Sequence, residues 1–126
     1  MALIRSGKTP VKKTVLWTNS SPNQSYAGGT ITAALSDYDQ LEIRYKGSTS
    51  DNSTASLILN CDELKASNVT HPMNSIGYII AATGVWNRPI YKSTDGTGIS
   101  IAPCYGGTGT TDNQYAVPLE VIGISL

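Results

Sequence analysis

The chain has 126 residues and a mass of 13.3 kDa, with nine Lys and Arg balanced by nine Asp and Glu. One core suffices at this length, and zero net charge argues against a general electrostatic grip on nucleic acid or an acidic membrane. Hydrophobic residues at 40% against 14% charged are the reverse of the disorder signature, and no apolar run approaches the ~20 residues that span a bilayer.

Met1-Ala2-Leu3-Ile4 is interrupted at once by Arg5, Ser6, Gly7 and Lys8, so no secretory signal is expected. Arg5, Lys8, Lys12 and Lys13 all precede the first acidic residue, Asp37. Residues 1–13 therefore read as a short basic arm and residues 14–126 as the folded domain. A solvated terminus is the commoner fate of such an arm; docking of its cations onto an acidic subunit is the other.

From residue 14 the signal is β. Residues 14–18 are β-branched and aromatic and end in Asn19-Ser20-Ser21-Pro22-Asn23, a turn cluster. A strand is expected over 30–35 after Gly28-Gly29, then a turn at Ser36-Asp37-Tyr38-Asp39 in which Tyr38 caps the fold. Residues 40–46 alternate, with Leu41, Ile43 and Tyr45 on one face and Glu42, Arg44 and Lys46 on the other, which places one face in the core and one in water. Further strands are expected over 54–60, 75–82, 85–92, 98–102 and 115–124, with Asp95-Gly96 a hairpin turn. A helical turn fits 62–66 and must end before Pro72. Pro118 has no amide proton and belongs at a strand start, an edge or a bulge. About eight short strands without a long helix predict an all-β antiparallel sandwich, jelly-roll-like.

Cys61 and Cys104 each end an apolar stretch and read as free buried thiols. Zinc would need more ligands than these cysteines and the single His71 offer, so no metal or cofactor is expected. The N-x-[S/T] triplets at Asn19, Asn23, Asn52 and Asn68 follow from a composition rich in Ser, Thr and Asn and read as unmodified.

Val15-Leu16-Trp17-Thr18-Asn19, Ser25-Tyr26-Ala27, Thr30-Ile31, Leu35-Ser36-Asp37-Tyr38 and Leu41-Glu42-Ile43 resemble a pattern in tail proteins of bacteriophages and prophages. Arg88, Asp95-Gly96 with Ile99, and the closing run from Val117 to Ile124 continue the likeness, which extends over most of residues 14–124. The resemblance implies a virion protein of tail-tip, fibre or baseplate type. It also implies a homo-oligomer, with a trimer favoured, that contacts other virion proteins and recognises saccharides on the host surface. A purely structural head-fibre or capsid-decoration protein and a free-standing carbohydrate-binding module are the competing classes.

Catalysis finds little support in the residues. His71 stands before proline with no G-x-S-x-G elbow. Asp37 and Asp39 sit in a turn where Asp bonds backbone, and Asp62-Glu63 suits a helix start. Gly106-Gly107-Thr108-Gly109-Thr110 lacks the Lys of a phosphate loop. A binding role is the stronger lead, because sugar rings stack on aromatics while amides orient their hydroxyls. Tyr105, Asn113, Gln114 and Tyr115 flank the glycine loop as one candidate patch; Trp17 and Trp86, inside strands, read as core.

Overall fold

A computed structural model describes residues 11–72, 74–80 and 84–126. Alternation of apolar and polar side chains builds nine strands among them. They are β1 Lys12–Thr18, β2 Gly29–Thr32, β3 Gln40–Ser48, β4 Thr54–Asn60 and β5 Asn74–Ile80. β6 Gly84–Lys92, β7 Gly98–Ile101, β8 Tyr105–Gly106 and β9 Tyr115–Ser125 follow. All pairings are antiparallel, in a four-stranded sheet of order β1-β9-β3-β4 and a five-stranded sheet of order β2-β7-β6-β5, with β8 on β6. The two orders establish an antiparallel sandwich without establishing a jelly roll.

The core forms where the inner faces meet. Leu41, Ile43 and Val121 from one sheet pack with Ile31, Ile76, Ile90, Ile99 and Ile101 from the other, each at most 3% exposed. A six-residue helix, α1 Cys61–Ala66, is too short to be stable alone. It is held by burying Cys61 and Leu64 against the core, next to a 3₁₀ turn at Leu35–Asp37. Tyr38 packs on the core with its ring over Gly123, where a side chain would have to displace it.

β9 is central to its sheet and carries irregularities on both sides. Arg44 pairs with Glu120 and Tyr45 with Pro118, so Leu119 bulges; Val15 pairs with Ile122 and Trp17 with Val121, so Leu16 bulges on β1. Pro118 thus sits beside a bulge, which spares the ladder its missing amide. The hairpin turn at Asp95-Gly96 is present, with Gly96 at φ +75° and the Asp95 carboxylate accepting bonds from Ser93 and Thr97.

Several expectations shift. β1 begins at Lys12 and includes Lys13, two residues inside the span read as a basic arm, because Lys12 and Lys13 pair with Ser125 and Ile124. Arg5 and Lys8 lie outside the described residues. β2 stops at Thr32, since the chain turns into the 3₁₀ segment at Leu35. Lys46 shares the water-facing parity of Glu42 and Arg44 but is 3% exposed. Its ammonium is covered by loops that it holds, donating to Asn23 Oδ1 at 2.8 Å, Asn52 Oδ1 at 3.2 Å and the Thr49 carbonyl at 3.4 Å. A ninth strand, β8, arises inside what reads as a loop: β7 pairs with the second half of β6 and β8 with the first half.

Candidate functional site

The two outer faces differ in charge. On the four-stranded sheet Lys13 Nζ meets Glu42 at 3.1 Å and Arg44 meets Glu120 at 2.7 Å. On the five-stranded sheet the period of two turns Trp86, Arg88 and Ile90 inward, leaving Val85, Asn87 and Pro89 outward on β6. Cross-strand pairing sets these beside Ile79, Gly77 and Ser75 of β5, and places Tyr105 of β8 next to Asn87. Farther across, Thr30, Ser100 and Tyr91 form another row, with the Thr30 and Ser100 hydroxyls 3.5 Å apart. None of these outward residues is charged.

A shallow groove of about 450 Å³ crosses this face, lined by Pro72, Asn74, Ser75, Asn87 and Pro89. Tyr105, 38% exposed, stands at its margin through its pairing with Asn87. On the other side of Asn87 is Gly77, where an added Cβ would meet only the Trp86 carbonyl at 3.5 Å. The row Gly77–Asn87–Tyr105 is therefore a notch, an amide and an aromatic ring in succession. Among the described residues the carboxamides of Asn74 and Asn87 have no hydrogen-bond partner, and the groove leaves them free for a ligand.

The four residues flanking the glycine loop do not form one patch. Tyr115 packs inward, its ring 4.9 Å from Trp86 and 6.0 Å from Tyr78 between centroids. The Asn113 side chain accepts from the Cys104 amide at 2.9 Å, and Gln114 donates to Asp112 at 2.9 Å. Each amide gives one of its two polar ends to the scaffold. Tyr105 is the most exposed of the four. Asn87, its partner on the face, was missed because the pairing is 18 positions distant in sequence, from 105 to 87; only its outward parity beside Trp86 signalled it.

Beneath the face lies Arg88, which is 0% exposed. Its Nη1 donates to the carbonyls of Tyr26 at 2.6 Å and Ala102 at 3.2 Å, its Nη2 to Asn113 at 2.8 Å and Tyr115 at 3.0 Å. Nε completes the set with Ala116 at 2.8 Å and Tyr115 at 3.2 Å. Burial pulls its pKa down from the usual arginine value, but an arginine that starts so high keeps its proton. The carbonyl dipoles replace the water that the guanidinium lost. Ala116, at φ +48°, is bent into the left-handed region beside this cluster.

At the sandwich edge Tyr78 donates its phenol proton to Asp51 and joins β5 to the loop after β3. That bond holds the Asp51 carboxyl below its usual value and raises the Tyr78 phenol. Gly47 lies close under the Tyr78 ring, leaving no space for a Cβ.

The groups considered for chemistry are dispersed. Cys61 and Cys104 are buried and free, and burial raises both thiols. His71 is exposed, its Nδ1 3.1 Å from the Thr70 hydroxyl. Asp39 accepts from the Leu126 amide at 2.7 Å, and Asp62 pairs with Lys65 at 3.3 Å. Among the described residues no three His, Cys, Asp or Glu side chains gather as a metal site.

Compared with known proteins, the chain matches no protein-family model, no curated sequence and no solved structure.

Proposed function

We propose that this chain is a contact module of a bacteriophage virion, a structural and adhesive component of the tail tip, fibre or baseplate. In this reading it assembles as a homo-oligomer, a trimer by preference, against other virion proteins. It then offers the outer face of the five-stranded sheet to saccharides on the host surface. The observation that carries the reading is Tyr105, an exposed aromatic beside an uncommitted Asn87 amide and a groove walled by two prolines. Aromatic and proline faces suit the C–H surface of a sugar ring, and amides and hydroxyls suit its rim. The motif likeness to phage tail proteins supplies the virion context.

The exposed pair Ile79 and Val85, 75% and 49% accessible and paired across β5 and β6, favours a second reading. Apolar side chains displayed together suit a protein neighbour, as in a purely structural decoration or head-fibre protein. Screening the assembled chain against a glycan panel separates the two. Saccharide binding that disappears in Tyr105→Ala supports the adhesin; silence across the panel from a correctly assembled oligomer supports the scaffold. A free-standing carbohydrate-binding module would instead bind as a monomer in sedimentation.

A further inference from the structure

The segregation of charge between the two faces constrains the ligand further, given the saccharide reading above. We infer that the outer face of the five-stranded sheet selects an uncharged oligosaccharide, and that the missing side chain at Gly77 is the slot that admits it. The salt-bridged cations and carboxylates of the sheets, Lys13, Glu42, Arg44 and Glu120, lie on the opposite sheet. The one arginine in the five-stranded sheet, Arg88, points inward and is 0% exposed, with its donors committed to backbone carbonyls. Among the described residues the groove lining of Pro72, Asn74, Ser75, Asn87 and Pro89 carries no cation, His71 lying next to it in sequence and Lys92 half-buried at the far end of β6. An acidic sugar seated there would lose water from its carboxylate, sulfate or phosphate with no cation in that lining to replace it. A neutral sugar meets groups of its own kind: the Asn87 amide and the Ser75 hydroxyl, which both donate and accept.

Gly77 pairs with Asn87 across the strands and lies beside the groove, outside its own lining. Its position is outward, its backbone is not in the left-handed region, and only the Trp86 carbonyl lies near, at 3.5 Å. Nothing in the local packing therefore requires glycine. In a strand interior glycine is a conformational disadvantage, and here its effect is to keep open the space beside Asn87, two strand spacings from Tyr105.

The test uses the intact, assembled chain on a panel that pairs neutral oligosaccharides with their sialylated, uronic-acid, sulfated and phosphorylated counterparts. Binding to neutral members is expected, changing less than about twofold between roughly 0.05 and 0.5 M salt, because no ion pair is there to be screened. Gly77→Val, a residue suited to strands, is expected to weaken binding at least tenfold while the thermal midpoint is kept or raised. Asn87→Ala supplies a second variant of the same row with the same expectation. Preference for acidic glycans, or affinity that falls steeply with salt, overturns the inference and leaves the saccharide reading standing. Full affinity in folded Gly77→Val overturns the slot. Absence of binding to every glycan overturns the saccharide reading and this inference together.

Discussion

Arg88 and Tyr26 meet twice: the guanidinium donates to the Tyr26 carbonyl at 2.6 Å, and its central carbon lies 5.3 Å from the centroid of the Tyr26 ring. Through this contact the loop between β1 and β2 is tied to the strand that carries Asn87. Tyr26 in turn stacks edge-on to Trp17 at 5.9 Å, so one buried cation organises residues from both sheets. Removing the cation strands several carbonyls in a dry interior. Arg88→Met is expected to lose about 3–5 kcal/mol, the usual cost of breaking a buried charge network, read as a lowered urea midpoint. A loss below about 1 kcal/mol contradicts the role given to Arg88.

Two glycines separate packing from shape. At Gly98 an added Cβ would lie 1.9 Å from the Ile31 carbonyl oxygen and 2.5 Å from the Ala33 amide nitrogen, both backbone atoms. Gly98→Ala is expected to cost about 3 kcal/mol, as overpacking does. Gly77→Ala has open space and is expected to gain about 0.5–1 kcal/mol. Thermal melts of the two variants check the contrast, and equal effects would refute it.

The acid limb of stability has identifiable sources. Asp95 is lowered to about 2 by its bonds from Thr97 and Ser93, and Asp51 is lowered by the Tyr78 hydroxyl. A carboxyl depressed by folding contributes stability that is complete above its unfolded value, about 3.9, and is lost as pH falls through the folded value. Tyr78 is raised, so its contribution is complete below the unfolded phenol value near 10 and is lost as pH rises through the folded one. Tyr78→Phe is expected to flatten both limbs in denaturant midpoints measured against pH. Carboxyl NMR should place the Asp95 midpoint at about 2; a midpoint near 4 contradicts the turn geometry.

The thiols should be silent in the folded protein. Cys61 and Cys104 are buried, and their pKa values are raised, whereas the thiolate is the reactive form. Slow labelling by a thiol reagent at neutral pH is expected, with both cysteines reacting promptly in denaturant. Fast labelling of either in native buffer speaks against the buried placement.

The strands were legible because each is set by its own residues: Leu41, Ile43 and Tyr45 alternate against Glu42 and Arg44, and Asp95-Gly96 marks its own turn. Cysteine burial and the fate of Trp86 followed from the same local pattern. What was not legible depends on partners distant in sequence. Tyr105 and Tyr115 flank the same loop and look alike, yet Tyr105 pairs outward with Asn87 while Tyr115 turns in between Tyr78 and Trp86. Lys46 alternates like a solvent residue, but loops bearing Asn23 and Asn52 close over it. Arg88 shares the inward parity of Trp86 and Ile90, a cue that an arginine there needs buried acceptors.

The most direct test of the binding face is amide chemical-shift mapping of the labelled chain during titration with a neutral oligosaccharide that it binds. Shifts are expected to cluster at Ser75, Gly77, Asn87 and Tyr105, across β5, β6 and β8. Shifts centred instead on Glu42 and Arg44, on the charged face of the opposite sheet, would contradict it.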